Sequence, residues 1–473
     1  MCGLTRLETT AAAPGRLRGT DIRSRAVVAT ATASTDSAPP LPPRADRGVH
    51  RGRLAAAGWV TVVVVALAWG TWAVADSGAA LRAAPLYGRW RWHPGWGLVP
   101  VAVLAGVVVT CGPGMAARVR WRLLPALTGL AAAVWTLALA AADGWSRVTA
   151  PITSRHEYEP FAAGIDDIGG LLRHFAERLG DYPIHVQGHP PGPVVLAWLL
   201  DRVGVAGAGW LATLAIAGWA TAVAAALVAA RAVAGEGSAR RAAPALVVLP
   251  AAVWAGTSLD GLFAGLAAVG VTLAALAAVR SSSGHALAAG IVLGVALLFS
   301  YGAVLMVVVA VATLVLAVRA GPHIGYTGLL VPLGAGVLLV LGTAGMVAGF
   351  WWIDGLQATG QAYWSGIGGH RPGAYLTLVG NPAALALATG PAVAAGLASL
   401  LKAPDRSARL LPAAVLAAVV VANLSQMSRG EVERIWLPFV PLLALAAPGD
   451  RPGWLAAQAG LALLLQAVLV SPW

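Results

Sequence analysis

Residues 207–230 read GAGWLATLAIAGWATAVAAALVAA, a run of apolar and small residues without a single charge. A run of about 20 such residues is long enough to cross the hydrocarbon core of a bilayer as an α-helix. Because that core offers no hydrogen-bond partners, the run can satisfy its backbone only as a helix. The whole chain is 58% hydrophobic and 11% charged, with a mean hydropathy of +0.75. We therefore predict an all-α, polytopic membrane protein.

About thirteen stretches share this apolar character and are predicted to cross the membrane. They are 54–75, 98–115, 123–142, 207–230, 242–257, 261–279, 286–300, 302–318, 328–350, 381–401, 411–424, 435–448 and 453–470. The pair 286–300 and 302–318 has an alternative interpretation as one long helix that is kinked near Ser300.

The chain before the first span differs in composition. Residues 1–53 are rich in Arg, Ala, Ser, Thr and Pro and are predicted to be a disordered basic tail. The predicted organisation is this tail, two additional N-terminal spans in 54–122, a transmembrane core in 123–448 and a last helix in 449–473.

The distribution of charge predicts the orientation. With the amino terminus in the cytoplasm, the inner segments hold 21 of the 32 Lys and Arg residues with 7 acids, and the outer segments hold 11 bases with 13 acids. An excess of basic residues on the inside is typical of membrane proteins, so loops 143–206, 351–380 and 425–434 are predicted to lie outside. The net charge of +12 then reflects orientation, and no nucleic-acid partner is expected. A single lysine beside 31 arginines is typical of a high-GC bacterial genome, which predicts a bacterial plasma membrane.

Loop 143–206 concentrates the titratable residues of the chain, with 8 of the 20 acidic residues between Asp143 and Asp201. The apolar positions 168, 171, 172, 175 and 179 lie on one helical face, so 166–179 is predicted to be an amphipathic interfacial helix capped by Asp166 or Asp167. A second short helix is predicted from Val194 to Val203, after a run of prolines. A membrane protein that collects its titratable groups in one loop is expected to do its chemistry there.

Four short motifs follow one another on the predicted outer side. They are His156-Glu157, His189-Pro190-Pro191-Gly192, the turn 257–262 with Asp260, and the stretch 433–442 with Arg434. In their order and sidedness they resemble the GT-C superfamily of membrane glycosyltransferases, most closely the branch of protein O-mannosyltransferases and bacterial aminoarabinose transferases. That branch has an Asp-Glu pair and an HPPL or KPPL motif. Here His156 replaces the acid, Gly192 replaces Leu, and two extra spans precede the core.

The resemblance implies transfer of a hexosyl or pentosyl group from a polyprenyl-phosphate donor to an envelope glycan, lipid or protein at the outer face. It implies no cofactor and no metal ion. Transfer needs a carboxylate that takes the proton of the acceptor hydroxyl and cations that hold the phosphate. Glu157 is the first candidate for the base, followed by Asp166 and Asp167. The substrate-binding candidates are Asp260, Arg434, His189, Arg371, Trp364 and Tyr363.

Each candidate also has a simpler interpretation. Glu157 is then a solvated loop acid, Asp166 and Asp167 are helix caps, and Asp260 is a turn residue. His189 holds its loop by a hydrogen bond. The aromatic residues 363 and 364, like the run Arg-Trp-Arg-Trp-His at 89–93, then belong to the band of aromatic residues at the membrane interface.

Two alternative functions remain open at the level of the whole chain. A transporter or lipid flippase requires charged residues inside the spans and two related halves. A non-catalytic membrane protein requires neither. The feature that separates these alternatives from an enzyme is whether Glu157, Asp260 and Arg434 meet at one place.

Overall fold

The computed structural model describes residues 44–75, 82–318, 325–400 and 406–473, and within these ranges most of the chain is helical and almost none of it is strand. The helices are α1 (Arg44–Ala75), α2 (Leu98–Arg118), α3 (Leu124–Ala140), α4 (Tyr158–Ala163), α5 (Ile168–Arg173), α6 (Ile184–Gln187), α7 (Gly192–Arg202), α8 (Ala208–Ala234), α9 (Glu236–Val247), α10 (Ala252–Ala255), α11 (Asp260–Arg280), α12 (Ser283–Phe299), α13 (Ala303–Ala317), α14 (Thr327–Ala348), α15 (Trp352–Ser365), α16 (Ile367–His370), α17 (Gly373–Tyr375), α18 (Asn381–Thr389), α19 (Pro391–Leu400), α20 (Arg406–Leu424), α21 (Val432–Ile435), α22 (Val440–Leu443) and α23 (Pro452–Val468). The two short strands found in these ranges, β1 (Arg89–Trp90) and β2 (Leu469–Val470), pair antiparallel.

Six helices of the described ranges are long and apolar enough to cross a membrane. They are residues Gly52–Ala73 of α1, and α2, α8, α11, α14 and α20. A seventh candidate is the segment Gly373–Thr389 with Pro391–Leu400, which bends by 100°. These helices support a multi-pass, all-α membrane protein. They support fewer crossings than the thirteen predicted, because α3, α12, α13, α23 and the segment Leu437–Ala446 are shorter apolar helices.

The predicted tail lies mainly outside the described residues, which begin at Arg44. Its last part is helical, because α1 begins at Arg44 rather than at the first apolar residue near Leu54. The membrane-crossing part of α1 nevertheless begins close to the predicted boundary, at Gly52.

Two of the predicted spans have a different structure. The predicted span 242–257 is not one continuous helix: α9 ends at Val247, a break follows, and α10 has four residues. Pro250 has no N–H to continue a helix, and the amide of Ala251 instead donates to the carbonyl of Ala388 over 2.9 Å. The alternative of one kinked helix over 286–318 was also wrong, because extended backbone at Ser300 separates α12 from α13.

The centre of the bundle is built from small residues that let helices approach closely. A Cβ atom on Gly218 of α8 would lie 2.4 Å from the Cα of Leu262, and one on Gly265 of α11 would lie 2.6 Å from the carbonyl oxygen of Gly218. Close approach through small residues is the usual way in which transmembrane helices associate. The contact fixes the start of α11, and therefore Asp260, against α8.

Three predicted outer loops meet at one end of the bundle, which we call the site end. The Thr359 hydroxyl donates to the carbonyl of Gln187 over 2.9 Å, and the Tyr363 hydroxyl donates to the carbonyl of Gln426 over 3.1 Å. Loops 143–206, 351–380 and 425–434 are thus in contact, as their predicted common side requires. That the site end faces the outside of a cell stays a prediction.

Loop 143–206 contains short helices instead of the long amphipathic one. The predicted helix 166–179 was wrong in length, because α5 ends at Arg173. Two adjacent glycines weaken the helix, and Phe175 turns into a buried contact 5.3 Å from Tyr182 and 5.5 Å from Phe350. The second predicted helix is confirmed as α7.

Candidate functional site

A buried ion pair joins the start of α11 to α21, which contains Arg434. Asp260 Oδ2 accepts a hydrogen bond from Arg434 Nη1 over 2.7 Å, and their side chains are 4% and 5% exposed. The Ser258 hydroxyl donates to the same carboxylate oxygen. Asp260 is also the first residue of its helix, where the helix dipole favours a negative charge. The carboxylate is therefore held from three directions, which explains how a charge is tolerated at this depth.

A second carboxylate, that of Glu431, extends the pair. Glu431 Oε2 lies 3.6 Å from Arg434 Nη2, and Glu431 Oε1 accepts a hydrogen bond from Arg371. Arg371 also donates to the carbonyl of Arg429 over 2.6 Å. Burial by itself raises the pKa of Glu431, but Arg371 and Arg434 outweigh it, and the pKa falls below its usual value. We call Asp260, Glu431, Glu433, Arg434 and Arg371 the buried charge cluster.

Glu433 is the member of the cluster to which the sequence assigned no role. Its side chain is completely buried, and Oε1 accepts a hydrogen bond from the amide of Tyr87 over 2.7 Å. Its other oxygen, Oε2, has no hydrogen-bond partner among the described residues. Burial raises the pKa of Glu433 to about 7. The sequence contains one signal for it, an acid directly before Arg434 in an otherwise apolar stretch.

Glu157 lies beside this cluster and is paired with a histidine. Its side chain is buried at the start of α4, and Oε1 lies 2.7 Å from His185 Nδ1. The His185 ring contacts Trp473 at 5.7 Å between centroids, and Arg434 Cζ lies 4.5 Å from the centroid of the Trp473 ring. Burial alone lowers the pKa of Arg434, yet the charges of Asp260, Glu431 and Glu157 raise it above its usual value. The interpretation of Glu157 as a solvated loop acid is therefore wrong.

His189 acts as a structural support for the loop. Its Nδ1 lies 3.2 Å from the carbonyl of Phe299, at the end of α12, and burial lowers the pKa of His189 to about 4. The ring is therefore neutral at pH 7 and donates to that carbonyl, as the simpler interpretation predicted. Position 192, where the motif has Leu, has no room for a side chain. A Cβ on Gly192 would lie 2.2 Å from the carbonyl oxygen of Leu298.

The two acids of α5 are not brought into the cluster. Asp166 and Asp167 are exposed, and Asp167 Oδ1 accepts a hydrogen bond from the amide of Gly170 over 2.8 Å. Asp167 is therefore the helix cap, and within the described ranges Asp166 makes no hydrogen bond or ion pair. Neither contacts the buried charge cluster.

The aromatic candidates support the cluster from the side. The Tyr363 hydroxyl accepts from the amide of Arg429 over 2.9 Å, in addition to its bond to Gln426. The ring of Trp364 is 43% exposed and lies 4.7 Å from Arg429 Cζ. Both side chains hold loop 425–434 in place, and only Trp364 presents a substantial surface to a ligand.

A cavity of about 540 Å³ opens beside the cluster, and we call it the arginine cavity because Arg89, Arg91 and Arg147 line it. Thr257 and Trp473 form the part of its wall that is nearest to Asp260 and Arg434. Within the described ranges, no group of three or more His, Cys, Asp or Glu side chains is arranged to hold a metal ion.

No protein-family model matches this sequence, and a search of curated proteins finds no match. The similarity to GT-C glycosyltransferases therefore stays an interpretation of four ordered motifs. Independently of it, the structure brings residues from all four motifs together at the site end.

Proposed function

We propose that this protein is a membrane glycosyltransferase that moves a sugar from a polyprenyl-phosphate donor to an envelope glycan, lipid or protein. The observation that supports it is the meeting of Glu157, Asp260 and Arg434 at one end of an apolar bundle. In this proposal the protein lies in a bacterial plasma membrane with a cytoplasmic amino terminus, and the site end faces outward. Three of the shorter apolar helices, α3, α12 and α23, have 17 residues each and are still long enough to cross, so they raise the number of crossings toward the proposed number of about thirteen.

Glu157 is the proposed general base. The acceptor hydroxyl oxygen attacks the anomeric carbon, the bond from that carbon to the phosphate oxygen breaks, and Glu157 takes the hydroxyl proton. His185, 2.7 Å away, orients the carboxylate and fixes which of its oxygens is free. Asp166 and Asp167 are weaker candidates, because their exposure leaves them without such a partner.

Arg434 is the proposed cation for the donor phosphate. Its Nη1 is committed to Asp260, but Nη2 lies 3.6 Å from Glu431, and Nε has no hydrogen-bond partner among the described residues. A phosphate at these two nitrogens would gain charge-assisted hydrogen bonds and stabilise the leaving group. Arg371 donates a hydrogen bond to Glu431 and so holds one oxygen of that carboxylate away from Arg434. In this proposal, His189, Tyr363 and Trp364 form part of the wall of the donor site.

The test compares Glu157→Gln with Glu159→Gln, a matched control two residues away that makes no ion pair within the described ranges. Loss of a general base lowers the rate by on the order of 10²- to 10⁴-fold, so Glu157→Gln should accumulate lipid-linked sugar. The measurement is the analysis of lipid-linked sugars and envelope glycans in a deletion strain that expresses each variant at equal level. Wild-type glycans with Glu157→Gln would rule out this base, and an unchanged deletion strain would rule out the transferase.

A transporter remains the second candidate because of the segment Gly373–Leu400, which bends by 100° at Gly390. Broken helices are typical of transporter binding sites, but they come in pairs from two related halves. Within the described ranges one such bend is found, and the Asp260–Arg434 pair lies at a helix end rather than in mid-span. Uptake of labelled lipid-linked sugar by vesicles, without transfer, would favour this candidate.

A further inference from the structure

The arginine cavity takes its two key residues from the loop between α1 and α2, which has no counterpart in the motifs described above. Arg89 and Arg91 lie at alternate positions of an extended segment, so their side chains lie on one face of it, and both line the cavity. Arg147 reaches the same cavity from the start of loop 143–206. The sequence favours an interfacial anchor for the run 89–93, but the structure makes its arginines a cavity wall.

The backbone of this segment is fixed by hydrogen bonds, which leaves the arginine side chains free. β1 pairs with β2, the amide of Arg91 donates to the carbonyl of Val468 over 2.7 Å, and the amide of His93 donates to that of Ala467 over 2.9 Å. Gly88 precedes the strand at φ +136°, and a Cβ there would lie 2.5 Å from the carbonyl oxygen of Val470. The strand is therefore seated closely on the end of α23, in a conformation that favours glycine.

The charges in the cavity are unbalanced. Within the described ranges, the side chains of Arg89, Arg91 and Arg147 make no hydrogen bond or ion pair. The one acid of the wall, Asp143, accepts a hydrogen bond from Gln466 over 3.0 Å and lies 3.4 Å from His93 Nε2. Three arginines and one aspartate leave a net charge of +2 when His93 is neutral. Like charges around one cavity repel each other, and an anion between them removes that repulsion.

We infer that the arginine cavity binds an anion of the phosphate class. One arginine guanidinium can bind two oxygens of a phosphate at once. A phosphate monoester carries a charge of about −1.5 to −2 at pH 7, which matches the net positive charge of the cavity wall. Trp92 and Trp96 lie in the same loop and are 70% and 91% exposed. Exposed indoles are typical of the membrane–water boundary, where lipid head groups and soluble phosphates are both within reach. The site goes beyond the proposed transfer and does not depend on it.

The experiment measures binding to the purified full chain in detergent by titration calorimetry. One arm uses inorganic pyrophosphate, and the other uses dihexanoyl phosphatidylglycerol with dihexanoyl phosphatidylcholine as its neutral counterpart. The test variant combines Arg89→Gln, Arg91→Gln and Arg147→Gln, and a second one carries Lys at the same three positions. The matched control is Arg178→Gln, an exposed arginine elsewhere in loop 143–206. Thermal unfolding of each variant verifies its fold.

We expect the Gln variant to bind at least about tenfold more weakly than the wild type, since several charge-assisted hydrogen bonds are lost. The Lys variant should lie in between, and Arg178→Gln should match the wild type. Binding of pyrophosphate identifies a soluble phosphate as the source, and binding of phosphatidylglycerol alone identifies a lipid head group. Equal affinity of the wild type and the Gln variant, or no binding in either arm, overturns the inference. Such a result leaves the transferase proposal intact, because that is decided by Glu157→Gln.

Discussion

The two ends of the bundle use arginine–acid pairs in different ways. At the end opposite the site, Arg240 donates to Glu236 over 2.8 Å and also to the carbonyls of Ala116 and Val119, over 2.6 and 2.9 Å. These bonds satisfy the carbonyl groups that the end of α2 leaves free. At the site end, Arg434 is buried and pairs with carboxylates instead of carbonyl groups.

The difference separates a structural role from a candidate functional one. An arginine that caps a helix and is still 20% exposed, as Arg240 is, gains hydrogen bonds at little cost, because water still reaches it. A buried cluster that contains Glu433, whose pKa burial raises to about 7, is expensive to keep. Perturbed titratable groups that are buried together are typical of functional sites. Variants of the Arg240–Glu236 pair and of the Arg434–Asp260 pair can therefore be compared to test which of the two serves stability alone.

The largest expected effect concerns the sides of the membrane on which the two ends lie. In a chain whose Cys2 and Cys111 are replaced by Ser, Thr153→Cys and Gly237→Cys place a single exposed thiol at the site end and at the opposite end. A membrane-impermeant thiol reagent added to intact cells should label Thr153→Cys and not Gly237→Cys. The reverse pattern would place the site inside the cell and contradict the proposed outer-face transfer.

Removal of one partner of the Asp260–Arg434 pair should have the largest effect on stability. Arg434→Gln leaves a buried carboxylate without its cation, which costs about 3–5 kcal/mol, and thermal unfolding in detergent measures it. The double variant Asp260→Asn with Arg434→Gln should regain much of the loss, because no unpaired charge remains. If the single and the double variant are equally unstable, the pair is not a coupled unit.

The pH dependence of stability should reveal Glu433. Its pKa is about 7 in the folded chain against the usual 4.5, so the folded chain holds this proton more tightly than the unfolded chain. Stability is then lost as pH rises from about 4.5 to about 7, by on the order of 3 kcal/mol. Glu433→Gln should remove this loss and be more stable than wild type at pH 8, with little difference at pH 4.

Glu431→Gln is the control, because the pKa of Glu431 is shifted in the opposite direction to that of Glu433. The pKa of Glu431 is lowered, so its contribution to stability is present at neutral pH and is lost as pH falls through the folded pKa. Unfolding temperatures over pH 3 to 8 compare the two variants, because the loss of stability at Glu431 falls below its usual pKa of 4.5. Identical pH profiles would show that the two neighbouring glutamates do not differ as described.

The smallest effect is expected at the opposite end. Arg240→Ala removes the bonds to the end of α2 and should cost about 1–2 kcal/mol, since water replaces part of what is lost. Its neighbour Arg241, which is exposed and donates to Ser238 over 3.1 Å, should change stability by no more than about 0.5 kcal/mol when it is replaced by Ala. A cost for Arg240→Ala as large as that for Arg434→Gln would remove the distinction between the two ends.

The errors of the sequence analysis have local causes. The segment 242–257 is apolar enough for a single helical span, but Pro250 and a hydrogen bond from the amide of Ala251 to Ala388 break its helix in two. The periodicity of 166–179 is helical, but the residues Phe175 and Leu179 are buried in the loop rather than along one helix. Asp166 and Asp167 were ranked as bases because they lie in the acidic loop, while their exposure is decided by how α5 is oriented. Composition does not contain that orientation.

The sequence by itself determined the membrane class, the helical fold and the grouping of loops 143–206, 351–380 and 425–434 at one end of the bundle. Apolar length and charge bias act along the chain, segment by segment, so they can be read without a structure. Tertiary structure alone decided that Asp260 meets Arg434 across 174 positions and that His185 meets Glu157 across 28. It also left Glu433 Oε2 without a hydrogen-bond partner among the residues that the structure describes, and it made the arginines at 89 and 91 part of a cavity wall. Such pairings depend on which helix ends come together, and packing between distant segments sets that.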